Sequence, residues 1–276
     1  MAIKLICIDM DGTLLDNDHN VSDENKQALI EAIDRGIVIA ITTGRLFTSA
    51  KHYSDLLGIN APIISSNGAY IREKDSSKVI YENALSLDEC LEIYNISKKY
   101  SFETYFNTHN TAISSTEFKE DHAYAVTNKL LKDEDKIKFK VAYDLTDILK
   151  ELEGDVLKSI SINRDSEDDT ELLEAKNEFI DLNKYEVVSS GLHNFEVMKK
   201  GTSKGNAVKQ LAKILGITKD EIMCIGDSEN DLSMIRFAGT GVCMGNGLDI
   251  LKEEADYITD TNVNSGVAKA IRKFAL

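Results

Sequence analysis

The chain has 276 residues, of which 42% are hydrophobic and 29% are charged. These proportions exclude a chain that is disordered throughout and a collagen-like repeat, and the length suffices for a core that divides into two domains. The formal net charge is −15 at pH 7. Because so acidic a surface repels phosphate backbones and anionic lipids, we expect no nucleic-acid partner and no membrane partner.

The cellular location is predicted from what the sequence lacks. The first apolar stretch is interrupted by Lys4 and Asp9, which is not typical of a signal peptide. No run approaches the roughly 18 apolar residues that a spanning helix requires. The four cysteines lie far apart without a C-x-x-C pair, so a zinc site is not expected. We therefore expect a cytoplasmic protein.

The first 83 residues alternate apolar strands with helices. The predicted elements are a strand over Ile3–Ile8, a helix from Ser22 to Asp34, a strand over Ile37–Ile41, a helix ending at Leu57 and a strand over Pro62–Ser65. Alternation of this kind is typical of βαβ units, in which the strands form a parallel sheet.

The pattern changes near Asn83. Ser86-Leu87-Asp88-Glu89 has the residues of a capping box and predicts the start of a helix. Alternating runs follow at Phe102–Phe106 and Thr111–Ser115, which indicate a mixed or antiparallel sheet. From about Phe195 the first pattern returns. We therefore predict an α/β fold, in which residues 1–83 and 193–276 form a doubly wound, Rossmann-like parallel-sheet core and residues 84–192 form an inserted α/β cap.

Polar side chains stand where several predicted core strands end. Because binding sites in an open parallel sheet form at the carboxyl ends of its strands, these side chains are expected to converge. They belong to Asp9 and Asp11, Thr42-Thr43-Gly44, Ser65-Ser66-Asn67, and Asp227, with Lys204 added at a helix start. The combination carries the prediction, since any one of these features is also common in ordinary turns and caps.

The carboxylates predict a Mg²⁺ site. Asp9 and Asp11 form one pair, and Asp227 and Asp231 form a second pair in the segment Gly226–Asp231. Mg²⁺ is held by one or two carboxylates together with water and substrate oxygens. Three or four carboxylates brought together without a cation would repel one another, so a metal follows if the two pairs meet. The alternative for Asp227 is a turn or helix-cap residue.

A phosphate group is the anion that the remaining residues suit. Thr43 and Gly44 can direct a hydroxyl and backbone N–H groups at an oxyanion, and Lys204 can supply a positive charge. Taken singly, Lys204 is more typical of a solvated helix start. The sequence contains no G-x-S-x-G segment and no G-x-x-x-x-G-K-[ST] segment, which disfavours a serine hydrolase and a P-loop kinase.

The ordered set of these motifs resembles the haloacid dehalogenase superfamily of phosphatases. The resemblance rests on Asp9-Met10-Asp11-Gly12-Thr13, Thr43-Gly44-Arg45, Lys204 and Gly226–Asp231. The late segments Gly241–Asn246 and Asn264–Ala268 are similar to the Cof-type subfamily, which carries an inserted cap. Gly247 stands where this subfamily often has Ala, and Asn264-Ser265 where it often has Glu-Asp; both departures are expected to lie outside the chemistry.

The resemblance implies a role for each matched residue. Asp9 would be the nucleophile that forms an aspartyl-phosphate, and Asp11 the general acid and base. Asp9, the backbone carbonyl of Asp11, and Asp227 would hold Mg²⁺, with Asp231 supporting the metal. The residues implied to bind phosphate are Thr43, Gly44, Lys204 and Asn230, with Arg45, Asn67 and Gly68 as further substrate contacts.

The function implied is Mg²⁺-dependent hydrolysis of small phosphorylated metabolites, such as sugar phosphates. Two alternatives stay open: a phosphomutase that returns the phosphoryl group to another hydroxyl, and a phospho-accepting signalling domain, which would turn over only once. Specificity is assigned to cap residues, with Tyr105, Phe106, His109, His122 and Lys158 as candidates. The sequence gives neither the particular phosphate ester nor the oligomeric state.

Overall fold

The computed structural model describes residues 2–164, 168–191 and 193–276, and these residues divide into two compact units. The first unit comprises the residues up to Gly44, then Tyr53–Tyr81 and Ser203–Leu276. The second unit comprises Arg45–His52 and the described part of Glu82–Thr202.

The described residues form fourteen strands and ten α-helices, besides five 3-10 helices of three residues each. The strands are β1 (Leu5–Asp9), β2 (Val38–Thr42), β3 (Pro62–Ser65), β4 (Tyr70–Glu73), β5 (Val79–Glu82), β6 (Glu103–Asn107), β7 (Thr111–Ser114), β8 (Lys138–Val141), β9 (Lys158–Ile162), β10 (Tyr185–Val188), β11 (Asn194–Lys199), β12 (Ile222–Gly226), β13 (Thr240–Cys243) and β14 (Tyr257–Ile258). The helices are α1 (Asp23–Asp34), α2 (Phe47–Leu57), α3 (Leu87–Ser97), α4 (Ala123–Asn128), α5 (Thr146–Glu151), α6 (Thr170–Asp181), α7 (Lys204–Leu215), α8 (Leu232–Phe237), α9 (Asp249–Glu254) and α10 (Gly266–Phe274).

The first unit is built on an eight-stranded sheet with the order β14-β13-β12-β1-β2-β3-β4-β5. The strands from β14 to β3 run parallel, and β3 pairs with β4 in antiparallel fashion. All five residues of β1 are buried, as expected for a central strand covered on both faces. The sheet order places the ends of β12, β1 and β2 side by side.

The helices of this unit begin at the capping residues that the sequence predicts. Ser22 Oγ accepts the N–H of Asn25 at 3.1 Å, and Ser203 Oγ accepts the N–H of Asn206 at 3.1 Å. Each bond satisfies one of the backbone donors that a helix start leaves without an intrahelical partner. The second cap fixes the start of α7, whose first residue is Lys204.

The second unit contains a six-stranded sheet with the order β10-β11-β9-β6-β7-β8. Its pairs are antiparallel except for β7 and β8, which run parallel. Phe106, Phe179 and Phe195 are fully or almost fully buried in its core. The capping box predicted at the start of α3 is present, with both bonds between Ser86 and Glu89 formed.

Three features differ from the predicted organisation. Strand β11 pairs with β9 and β10, so the second unit continues to Thr202, beyond the expected boundary at residue 192; Leu192 itself lies outside the described residues. The start of α2 groups with the second unit, although the sequence places it in the core. Strands β4 and β5 were not predicted, because their short runs carry weak alternation.

Candidate active site

The site lies where β1, β2 and β12 end and α7 begins. Asp9 is the last residue of β1, and Asp227 directly follows β12, its parallel neighbour. Thr43 follows β2 and donates its backbone N–H to the Ile64 carbonyl at 2.9 Å. The predicted convergence of these strand ends is therefore observed in the geometry of the first unit.

Lys204 reaches the site because the start of α7 packs very closely against two other segments. A Cβ on Gly68 would lie 2.4 Å from the carbonyl oxygen of Ser203, and one on Gly205 would lie 2.3 Å from that of Ser233. Both positions require glycine, and Gly68 also has a φ of +98°. The Lys204 side chain is consequently buried completely.

Lys204 joins two of the predicted carboxylates. Its Nζ lies 2.5 Å from Asp9 Oδ1 and 2.6 Å from Asp231 Oδ1. Burial acts to lower the pKa of the lysine, but the charges of Asp231 and Asp9 outweigh it and raise that pKa above its ordinary value. The lysine therefore stays charged, and it holds the two acids at fixed positions.

Asp231 organises the loop after β12. Its Oδ2 accepts the backbone N–H groups of Asp227 at 2.9 Å and Ser228 at 3.0 Å, while Oδ1 accepts Lys204. The side chain is fully buried. Asp231 thus fixes the backbone that carries Asp227.

Asp227 is oriented by two hydroxyl groups for which the sequence analysis gave no role. Thr13 Oγ1 donates to Asp227 Oδ1 at 2.7 Å, and Ser228 Oγ donates to Asp227 Oδ2 at 3.0 Å. Thr13 belongs to the D-x-D-G-T segment, which is the signal that could have identified it. Burial and the nearby Asp231 raise the pKa of Asp227 to about 6.

Three carboxylates come close enough together to bind a metal ion. Asp9, Asp227 and Asp231 each offer one oxygen, and these oxygens lie within 4.8 Å of one another. Burial, followed by the charge of Asp231, raises the pKa of Asp9 well above its ordinary value even though Lys204 opposes the shift. A hard divalent cation fits this oxygen-only donor set, because it would offset the repulsion.

Asp11 stands apart from this group. Its side chain is 45% exposed, and its Oδ1 lies 3.8 Å from His19 Nδ1. The carboxylate is not one of the three that cluster, so its predicted part in metal binding would depend on the backbone carbonyl alone.

The turn after β3 supplies two further predicted residues. Asn67 Oδ1 accepts Asn230 Nδ2 at 3.0 Å, and the Asn67 backbone N–H donates to the Thr43 carbonyl at 3.0 Å. Asn230 is buried, and its Oδ1 has no hydrogen-bond partner within the described part of the chain. Arg45 belongs to the second unit, so the geometry of the first unit does not bear on it.

Comparison with known proteins identifies the family. A profile of the haloacid dehalogenase-like hydrolases matches residues 6–271. The chain is 34% identical over 274 residues to the 5-amino-6-(5-phospho-D-ribitylamino)uracil phosphatase YcsE of Bacillus subtilis, covering 99% of this chain and 96% of that protein. It is also 32% identical over 280 residues to YwtE of the same organism, which has the same enzyme name, with 96% of each chain covered.

The fold comparison agrees with the sequence comparison. The structure of a haloacid dehalogenase-like hydrolase from B. subtilis superposes with a TM-score of 0.86 at 29% identity, over 98% of this chain and 99% of that chain. The chain therefore belongs to the haloacid dehalogenase-like hydrolase family. This confirms the predicted family, the predicted hydrolase class and the predicted α/β fold with a Rossmann-like core.

Proposed function

We propose that this protein is a Mg²⁺-dependent phosphatase of small phosphorylated metabolites that works through an aspartyl-phosphate. The observation that carries the proposal is the buried contact of Lys204 with Asp9 and Asp231, beside the carboxylate of Asp227. This arrangement provides a nucleophile, a fixed positive charge and a cation site at one point of the sheet.

Asp9 is the proposed nucleophile. In the first step an Asp9 carboxylate oxygen attacks phosphorus, the bond from phosphorus to the ester oxygen breaks, and Asp11 donates a proton to that leaving oxygen. In the second step Asp11 accepts a proton from water, the water oxygen attacks phosphorus, and the Asp9 carboxylate is released together with inorganic phosphate. The different exposure of the two acids supports this division of roles.

The phosphoryl group is proposed to lie against Thr43, Gly44, Lys204 and Asn230. Lys204 is the only one of these four residues that carries a charge. Its side chain is fully buried and is held by its contacts with Asp9 and Asp231. Preorganised donors of this kind stabilise negative charge as it develops on phosphoryl oxygens. Asn67, Gly68 and Arg45 remain proposed substrate contacts.

The proposed metal site consists of Asp9 and Asp227, with Asp231 in support and the backbone carbonyl of Asp11 as a further ligand. Bound Mg²⁺ would supply positive charge that offsets both the clustered carboxylates and the phosphoryl oxygens. Thr13 and Ser228 hold Asp227 in one orientation before any ligand arrives. Because the Asp227 carboxylate is oriented in advance, the entropic cost of binding the metal is lower.

Substrate specificity is proposed to depend on the second unit. A cavity of about 480 Å³ on its sheet includes Tyr105, His122 and Arg164 among its lining residues. Phe106 and Lys158 are not among the proposed contact residues, because Phe106 is buried in the hydrophobic core and Lys158 is buried in an ion pair with Glu196. Because YcsE and YwtE are both named 5-amino-6-(5-phospho-D-ribitylamino)uracil phosphatase, that compound is the first metabolite to test.

The test is phosphate release from 4-nitrophenyl phosphate, with Mg²⁺ and then with excess chelator. The native chain is expected to show multiple turnovers that need Mg²⁺, whereas Asp9→Asn is expected to lose at least about a thousandfold in kcat. Asp249→Asn, an exposed aspartate of the same unit, is the matched control and should behave like the native chain. Release of a single equivalent would instead indicate a phospho-accepting domain, and transfer to a second hydroxyl without release would indicate a phosphomutase.

A further inference from the structure

The segment that follows β13 contacts the loop that carries Asp227. The backbone N–H of Met244 donates to the Gly226 carbonyl at 3.0 Å, and that of Leu248 donates to the Asp227 carbonyl at 2.9 Å. A Cβ on Gly247 would lie 3.2 Å from the Asp227 Cα. The departure from the subfamily pattern at Gly247 therefore lies against the metal-site loop rather than outside the chemistry.

The same segment also reaches the turn that follows Asp11. Asn246 Nδ2 donates to the Gly12 carbonyl at 2.8 Å, and Asn246 Oδ1 accepts the backbone N–H of Asn262 at 2.9 Å. Asn262 Nδ2 in turn donates to the Leu15 carbonyl at 2.9 Å. The side chains of Asn246 and Asn262 thus donate to two carbonyl groups of one turn, and the amide of Asn246 both donates and accepts a hydrogen bond.

The same turn also lies very close to the side chain of Asp227. Gly12 has a φ of +78°, and a Cβ there would lie 2.5 Å from Asp227 Oδ2. No residue larger than glycine fits at position 12, and Asn246 and Asn262 tie the turn to the segments after β13 and β14. Asp11 immediately precedes Gly12, and its side chain is 45% exposed. The backbone of the turn therefore sets the point from which the Asp11 side chain extends.

We propose that Asn246 and Asn262 are positioning residues that hold the acid/base group Asp11 over the leaving oxygen. The inference rests on the proposed function, since it assigns a purpose only if Asp11 transfers protons. It also gives a role to the late Gly245-Asn246 segment, which the catalytic motifs leave unexplained. Neither asparagine needs to touch the substrate in order to act in this way.

The test compares two phosphate esters that differ in their need for a general acid. An alkyl phosphate has a poor leaving group and depends on proton donation, whereas 4-nitrophenyl phosphate has a good one. Asn246→Ala is expected to lower kcat about tenfold with the alkyl ester and less than about threefold with the aryl ester, with KM little changed. Asn262→Ala should shift the ratio of the two rates in the same direction. Asn17→Ala, an exposed asparagine of the same loop, is the control.

Reference measurements separate the possible failures. Asp11→Asn defines the full leaving-group dependence, and a thermal melt of each variant shows whether it is folded. If Asn246→Ala matches Asn17→Ala, or lowers both rates equally, the positioning role is wrong while the proposed function stands. If the native chain hydrolyses neither ester, or Asp11→Asn shows no leaving-group dependence, the proposed function fails and this inference fails with it. Should Asn262→Ala not fold, Asn246→Ala alone decides the question.

Discussion

Lys204 of the first unit and Lys158 of the second unit are both almost inaccessible to solvent and both contact a buried carboxylate, but the charges around them are balanced differently. In the first unit Lys204 contacts both Asp9 and Asp231, and Asp227 lies within the same group of acids. In the second unit Lys158 on β9 forms an ion pair with Glu196 on β11, and both side chains are almost inaccessible to solvent. Lys204 thus lies among three carboxylates, whereas the carboxylate that Lys158 contacts is that of Glu196.

The difference shows how a buried ion pair in a structural role can be told from one in a functional role. A buried pair of one positive and one negative charge is neutral as a whole. It contributes little net stability, because the cost of desolvating both groups cancels most of their attraction. An excess of buried carboxylates is unfavourable for the protein alone: burial, followed by the charge of Asp231, raises the pKa of both Asp9 and Asp227. Such an arrangement is consistent with a site whose missing positive charge arrives with a ligand.

The largest expected effect is on activity. Lys204→Met should lower kcat for 4-nitrophenyl phosphate by about 100- to 1,000-fold, since it removes a preorganised positive charge from the reacting group. Lys158→Met should leave kcat within the same order of magnitude as the native value. Circular dichroism at the assay temperature verifies that both variants are folded. Equal losses in the two variants would show that the comparison of the two lysines has no functional meaning.

The next effect is on stability. Either lysine variant is expected to lose about 3–5 kcal/mol in the free energy of unfolding, because a buried charge is left without its partner. Replacing both members of the second pair, as in Lys158→Met with Glu196→Leu, should restore most of that loss. Lys204→Met with Asp231→Asn should restore much less, since Asp9 stays buried beside Asp227. Urea unfolding monitored by circular dichroism measures all four variants, and full recovery in both units would contradict the proposed imbalance.

The smallest effect concerns the orientation of Asp227. Thr13→Val keeps the shape of a fully buried side chain but removes its hydrogen bond to Asp227. The Mg²⁺ concentration for half-maximal activity should rise about tenfold, with kcat at saturating Mg²⁺ little changed. Thr42→Val is the matched control, because the hydroxyl of Thr42 contacts the sulfur of Met234 rather than a carboxylate. An unchanged Mg²⁺ requirement in Thr13→Val would show that Ser228 alone suffices to orient Asp227.

Much of the core and of the site could be predicted because both depend on local patterns. Buried β-branched strands such as Leu5–Asp9 and caps such as Ser22 and Ser203 are encoded within a few residues. The strand-end rule then brings Asp9, Thr43 and Asp227 together without further information. Strand β11 was assigned to the core, but it pairs with β9 and β10 of the second unit. The residues of a short apolar strand do not specify which strands it pairs with.

The sequence by itself determined which residue types meet at the ends of the parallel strands, since alternation and capping act over short distances along the chain. Only the tertiary structure decided which other residues hold these side chains and their loops in position. The contacts of Thr13 with Asp227 and of Asn246 with Gly12 join residues more than 200 positions apart. Such contacts depend on the exact approach of loops that glycines at positions 12, 68 and 205 permit. Asp11 was expected beside Asp9 as one of four carboxylates, but its side chain is 45% exposed and is not one of the three whose oxygens lie within 4.8 Å of one another. Among the described residues no helix is both long and apolar enough to span a membrane.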